Sequence, residues 1–422
     1  MIAYRTTRRT FLRAGIALAS ATGARRIDAA DARDPSYAER LSEVDTLLQN
    51  AVESGDVPGI VAMVATDRGI LYEGVFGTRD IGKGPNMTRD TVFDVASMVK
   101  VVTSVAAMQL VEAGKLRLND PVPNIDPALG APQVLTGYNA AGSPQLRPAK
   151  GPITLRHLLT HTAGFSYRLW DADTARYLDL TNNHPAPPRT PLMFDPGERW
   201  EYGVSLDWVG RIVETVSGRR LDRYFREHIL GPLGLADTVF TTTSQQFARQ
   251  ASLHERAADG SLVGRLPERQ TAPKLYSGGG RIYSTAPDYL TFLLMLLKGG
   301  TREGVRILTP ATVALMGQNQ IGDIEVGVLR TTTPRFSNDV DLFPRISLRW
   351  GFGHMINLQP GPDGRSAGSL TWAGLYNTYY WIDPTKKLAA VFMTQVRPFA
   401  DARVLRLYRQ FERGIYNSLK RA

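Results

Sequence analysis

A chain of 422 residues with 43% hydrophobic and 21% charged residues can bury a large core, as one big domain or as two lobes sharing a cleft. It has no apolar run of about eighteen residues to span a bilayer, and it has no cysteine, which excludes disulfides, thiolate metal sites and a cysteine nucleophile. The formal charge of +10 is no footprint of nucleic acid, because half of it lies before Ala30 and the rest is scattered without a basic run or a basic-aromatic stripe.

The first segment carries Arg5, Arg8, Arg9, Arg13, Arg25 and Arg26 against the acid Asp28. Thr7-Arg8-Arg9-Thr10-Phe11-Leu12-Arg13 followed by a mildly apolar run of small residues resembles a twin-arginine export signal. Residues 1–32 are expected to be a leader to a bacterial periplasm, the chain staying cytoplasmic if they are not cleaved. Leu41, Val44, Leu47, Leu48 and Val52 recur at helical spacing over residues 37–55. Two β-rich runs, 59–66 and 69–77, meet at Asp67-Arg68 and predict a hairpin.

Next comes a long apolar helix beginning near Ser97 and running to Glu112. Stretches 124–151 and 182–197 are dense in Pro, Gly and Asn and read as loops. His157 and His161 lie four apart, but a zinc helix would need a glutamate after the first histidine and a third ligand, so both read as structural. Gly278-Gly279-Gly280 lacks a following Lys-Ser/Thr and is no phosphate loop; Ser284 or Thr285 caps the helix after it, with Pro287 in its first turn. Strands are predicted over 350–358, 369–373, 379–382 and 388–394, the last two joined by a turn at Asp383-Pro384. Val404, Leu405, Tyr408, Phe411 and Ile415 mark a closing helix over about 400–419.

Strands at both ends with a long middle mostly free of them predict an α/β (α+β) architecture: an antiparallel sheet flanked by helices plus an all-helical lobe. The domain spans 36–422, with the α/β lobe over about 36–115 and 274–422 and the helical lobe over about 116–273.

A serine needs a base within hydrogen-bond reach to become a nucleophile. Ser97 and Lys100 stand three apart at the start of an apolar helix, so their side chains can meet. Backbone N–H groups at that helix start favour an oxyanion, and burial would lower the Lys100 pKa so that it can accept a proton.

Further segments surround this pair. Phe93-Asp94-Val95-Ala96-Ser97-Met98-Val99-Lys100 is followed by Leu116-Arg117-Leu118-Asn119-Asp120-Pro121-Val122 and by Ile153-Thr154-Leu155-Arg156-His157-Leu158-Leu159-Thr160-His161-Thr162-Ala163-Gly164-Phe165. Pro196-Gly197-Glu198-Arg199-Trp200-Glu201-Tyr202-Gly203-Val204-Ser205, then Ser277-Gly278-Gly279-Gly280-Arg281-Ile282-Tyr283-Ser284-Thr285 and Trp372-Ala373-Gly374 complete the series. In this order they resemble the serine β-lactamase-like family: class C β-lactamases, family VIII carboxylesterases and penicillin-binding-protein-like hydrolases. The resemblance spans about residues 57–395. It implies Ser97 as acyl-accepting nucleophile, Lys100 as base, and Tyr202 as proton shuttle to the leaving group. It also implies an oxyanion hole from the backbone N–H groups of Ser97 and Leu375.

Two departures from the pattern bear on substrate. The strand motif usually reads Lys-Thr-Gly, and here it is Trp372, Ala373 and Gly374. The partner asparagine of Tyr-x-Asn is Val204. Both changes make the pocket less polar and argue against carboxylate-bearing β-lactams. Val204, Trp372, Ala373, Gly374 and Tyr376 are the expected substrate-binding residues, and Trp170 and Tyr167 could join Tyr376 in lining an apolar pocket. The main expectation is a carboxylesterase acting through an acyl-enzyme on Ser97. A β-lactamase, D-amino-acid peptidase or acyltransferase of the same mechanism is the alternative, and a non-catalytic penicillin-binding sensor is another. The expected partner is a small-molecule ester or amide, with no cofactor, metal, nucleic acid or integral membrane segment in the mature chain.

Overall fold

The structure, a computed structural model, describes residues 35–181 and 190–420. The expected leader, residues 1–32, lies outside the described residues, as does the first half of the loop expected over 182–197.

One eight-stranded sheet draws strands from both ends of the chain. The N-terminal part supplies β1 (Gly59–Thr66), β2 (Gly69–Asp80) and β3 (Lys83–Asn86). The C-terminal part supplies β4 (Leu348–Trp350), β5 (Met355–Asn357), β6 (Leu370–Gly374), β7 (Thr378–Asp383) and β8 (Leu388–Met393). Their order is β4-β5-β6-β7-β8-β1-β2-β3, and the termini join where β1 pairs antiparallel with β8, Val61 opposite Met393. β8, Leu-Ala-Ala-Val-Phe-Met, is apolar throughout and buried throughout, the pattern of a strand covered on both faces.

Alternation along β7 shows what covers each face. Tyr379 and Trp381 point to the closing helix Ala402–Ser418, where Tyr379 stacks on Tyr408 at 4.4 Å and Trp381 meets Phe411 at 5.9 Å. Tyr380, between them, points the other way, to Tyr289 of the helix Ala286–Leu297 at 5.6 Å. The first helix, Pro35–Glu53, packs beside the closing one, with Val44 against Gly414.

Three expectations change. The strand expected over 350–358 is broken into β4, which ends at Trp350, and β5, Met355–Asn357, because Gly353 takes a left-handed φ of +94° and Gly351 presses against the Met316 carbonyl where a side chain would not fit. The turn-rich stretch 124–151 holds a hairpin, Gln133–Tyr138 with Pro144–Pro148. Its turn is closed by Asn139 Oδ1, which accepts from Ala141 N–H at 3.0 Å and Ser143 N–H at 2.9 Å. A second hairpin, Leu253–Arg256 with Leu262–Arg265, pairs with Val396–Arg397, so the middle of the chain is not wholly helical. These strands are short and half exposed, which leaves little alternation to read. The Ser97 helix, Val99–Glu112, packs on the helix Ser205–Ser217, and that contact brings the middle of the chain to the Gly374 end of β6.

Candidate active site

Ser97 sits in a single 3₁₀ turn, Ala96–Met98, that leads into the helix Val99–Glu112. The turn is tight: Ala96 adopts φ +41°, and its N–H is clamped by Asp94 Oδ1 at 3.0 Å. A non-glycine residue at positive φ stores strain that the surroundings must hold, and here the holding group is next to the reactive serine. β6 packs on this turn, Gly374 facing the Val95 carbonyl so closely that no Cβ would fit.

Lys100 is 1% exposed. Its Nζ lies 3.0 Å from Ser97 Oγ and 3.3 Å from the Tyr167 hydroxyl, and it donates to the Gly279 carbonyl. Burial lowers its pKa to about 7, with the nearby Asp207 charge opposing the shift. A lysine tuned to neutral pH can take a proton and return it. Tyr202 is buried, its pKa raised far above the usual phenol value by desolvation, against hydrogen bonds with Ser97 and Trp372 that lower it. A neutral phenol beside a neutral amine makes one an acid and the other a base.

Trp372, the largest departure in the strand motif, donates its indole N–H to the Tyr202 hydroxyl at 3.0 Å. Rings of Trp372 and His161 lie 4.8 and 4.7 Å from the Tyr202 ring. His161 is fully buried, and desolvation, then the Lys100 charge, holds it neutral; its Nδ1 accepts from Gly203 N–H at 3.4 Å. His157 belongs to a capping box with Thr154. Among the described residues no group of three or more His, Asp or Glu could hold a metal ion.

A cavity of about 260 Å³ opens over Ser97. Tyr167, Leu169, Trp170, Tyr202, Trp372, Ala373, Leu375, Tyr376 and Phe399 form its mainly apolar wall, and Asp94 with Arg281 its polar rim. The structure thus gathers Ser97, Lys100, Tyr202, Trp372, Ala373, Leu375 and Tyr376 at one place. Gly374 and Val204, expected to touch substrate, do not line this cavity: Gly374 faces the 3₁₀ turn, and Val204 is buried at the start of the helix Ser205–Ser217. Asp207 carries no recognisable signal in the sequence, since an acid in a first helical turn is an ordinary feature; Ser277 and Arg281 enter it only as part of the segment around the glycine run.

Changing Trp372 to phenylalanine keeps a ring in the wall and deletes the donor to Tyr202. The expected loss in kcat for ester turnover is about fivefold, the value of one neutral hydrogen bond. An unchanged kcat would show that Tyr202 is oriented by its ring contacts alone.

Comparison with known proteins matches residues 44–414 to the Beta-lactamase family. Monacolin J acid methylbutanoyltransferase of Aspergillus terreus is 33% identical over 415 residues, covering 92% of this chain and 98% of that protein. Lovastatin esterase of Penicillium rubens is 30% identical over 395 residues, covering 88% and 98%. A mutant simvastatin synthase from Aspergillus terreus superposes with a TM-score of 0.79 at 32% identity, covering 90% and 97%.

Proposed function

The chain belongs to the beta-lactamase family, and from that premise we propose that it is an acyltransferase: Ser97 takes an acyl group from an ester and passes it to the hydroxyl of a small-molecule acceptor, with water as a competing acceptor. Serine acyl-enzyme chemistry is common ground for the matched transferase and esterase, and the weight among them lies with transfer rather than with the hydrolysis expected first.

In this reading Lys100 Nζ removes the Ser97 proton as Oγ bonds to the ester carbonyl. The resulting oxyanion is held by the N–H groups of Ser97 and Leu375. Tyr202 protonates the departing alkoxide as the carbon-oxygen bond breaks, and is reprotonated from Lys100. The acceptor then enters and gives its hydroxyl proton to the same pair as its oxygen bonds to the acyl carbon; the bond from that carbon to Oγ breaks, and Ser97 takes the proton back.

The apolar wall around Ser97 carries this reading. Tyr167, Leu169, Trp170, Trp372 and Phe399 offer an acyl chain or alicyclic acceptor surface to bury, but offer a water few polar partners to hold it for attack. Trp372, spent on Tyr202, supplies no cation for a β-lactam carboxylate.

The test is partition: p-nitrophenyl butyrate as donor, with rising cyclohexanol as acceptor and products separated by chromatography. Cyclohexyl butyrate should overtake butyrate as acceptor rises. Butyrate alone at every concentration would return the protein to the esterase reading, and efficient turnover of a chromogenic cephalosporin would show that Trp372 does not exclude lactams.

A further inference from the structure

Behind the Ser97 cavity, the helix Ser205–Ser217 places the Asp207 carboxylate against the loop that follows Ser277. Asp207 Oδ1 accepts from Gly279 N–H at 3.2 Å and from the Ser277 hydroxyl. Ser277 Oγ in turn accepts from Gly280 N–H at 2.7 Å. The Tyr167 hydroxyl hydrogen-bonds to the same carboxylate. Asp207 and Tyr167 close around Gly279, where a Cβ would stand 2.6 Å from Asp207 Oδ2 and 3.1 Å from the Tyr167 hydroxyl. Every group gripped by Asp207 leads back to the reacting pair. Tyr167 receives Lys100 Nζ, and the Gly279 carbonyl accepts from Lys100 and lies 3.4 Å from Ser97 Oγ.

Asp207 itself does not line the Ser97 cavity. It lines a separate one of about 270 Å³ with Arg211, Glu214, Tyr276 and Ser277, on the far side of the loop. Its part in any reaction therefore runs through other residues.

We propose that Asp207 is a positioning residue for Lys100: it holds Tyr167 and the loop 277–280 against Nζ, and its fixed negative charge governs how readily Lys100 surrenders a proton. The proposal rests on Ser97 and Lys100 being nucleophile and base, and not on the identity of the acyl acceptor.

The charges around the pair set the sign. Lys100 is faced by Tyr167 and His161 from the segment after residue 155, by Tyr202 and Asp207 from the segment before and within Ser205–Ser217, and by Asp94 and Arg281 at the cavity rim. His161 is neutral; burial raises the Asp94 pKa to about 6, with the Ala96 N–H and the Arg281 charge opposing the shift, so Asp94 ionises just below the Lys100 limb. On its own helix Asp207 has Arg211 and Glu214 near it, and Arg211 is held by Asp126 at 3.3 Å. Lys100 must be neutral to accept the Ser97 proton, so reactivity climbs as pH rises through the Lys100 pKa, about 7. Asp207 favours the ammonium form, so deleting its charge moves that rising limb to lower pH.

The experiment follows the rate at which a fluorophosphonate labels Ser97 as pH is raised, which needs no acceptor. In Asp207→Asn the limb should move down by on the order of one pH unit, and in Asp207→Glu it should return to the wild-type position. Ser277→Ala, which cuts a loop bond and spares the carboxylate, should slow labelling with the limb unmoved. A uniform loss in Asp207→Asn with an unmoved limb, or a limb displaced equally by Ser277→Ala, would overturn the proposal. Should Asp207→Asn fail to fold by circular dichroism, Asp207→Ser, which keeps a hydroxyl for the loop, is read by the same criteria. A wild type that the probe does not label would sink the nucleophile assignment first, leaving the two failures distinguishable.

Discussion

Replacement of Ser97 by alanine is expected to lower kcat/KM for p-nitrophenyl butyrate by on the order of 10⁴- to 10⁶-fold while leaving thermal unfolding nearly unchanged. Fold and reactivity separate here because Oγ does not hold the turn together. The Asp94–Ala96 clamp at 3.0 Å and the contact of β6 with the turn both survive the loss of one oxygen. Lys100→Met should cost a similar factor, and the double variant little more, because a nucleophile and its base fail as a unit. Wild-type activity should rise with pH toward a plateau above about 7, where Lys100 is neutral. Activity in Ser97→Ala above about one part in a hundred would place the nucleophile elsewhere, since a missing covalent step cannot be so mild.

The largest stability effect is expected far from the cavity. Arg365 and Glu412 are 0% and 2% exposed and form a bidentate pair, Nε to Oε1 at 2.8 Å, with a further bond from Arg365 to the Tyr408 hydroxyl at 3.0 Å. The guanidinium also lies 4.8 Å from the Phe343 ring and 5.2 Å from the Trp381 ring. This pair ties the turn before β6 to the closing helix. Glu412→Leu leaves a cation in an apolar interior and should cost about 3–5 kcal/mol, seen as a lower urea midpoint. Arg365→Met combined with Glu412→Leu should recover much of that, because the pair's own attraction largely offsets the cost of burying it. A double variant as unstable as Glu412→Leu alone would mean that the packing of the stem, and not the charge, dominates.

How these two sites look in the sequence differs sharply. Ser97 and Lys100 are legible because their meeting depends on one turn of helix, a local geometry that spacing reports. Arg365 and Glu412 are 47 residues apart and belong to different elements, so spacing carries nothing about them. Tyr202 lies between these cases: the ordered motifs bring it in, but its orientation comes from the Trp372 indole 170 residues away. Trp372 itself reads correctly as the loss of a cation. Its hydrogen bond to Tyr202 is a tertiary fact, and Val204, judged by the same motif logic, is packed in the core instead of at the cavity.

By itself the sequence determined the pairing of both chain ends into one sheet, the apolar helix behind Ser97 and the chemical type of the site, because apolar periodicity and short-range spacing act within a few residues. The sequence also gives the direction of the Lys100 shift, from its place in an apolar helix, but tertiary structure alone decided its extent. Lys100 reaches a pKa of about 7 through burial by segments distant in the chain, with Asp207 opposing it from a helix more than a hundred residues away. Desolvation is a property of what surrounds a group in space, and only the fold establishes what those surroundings are.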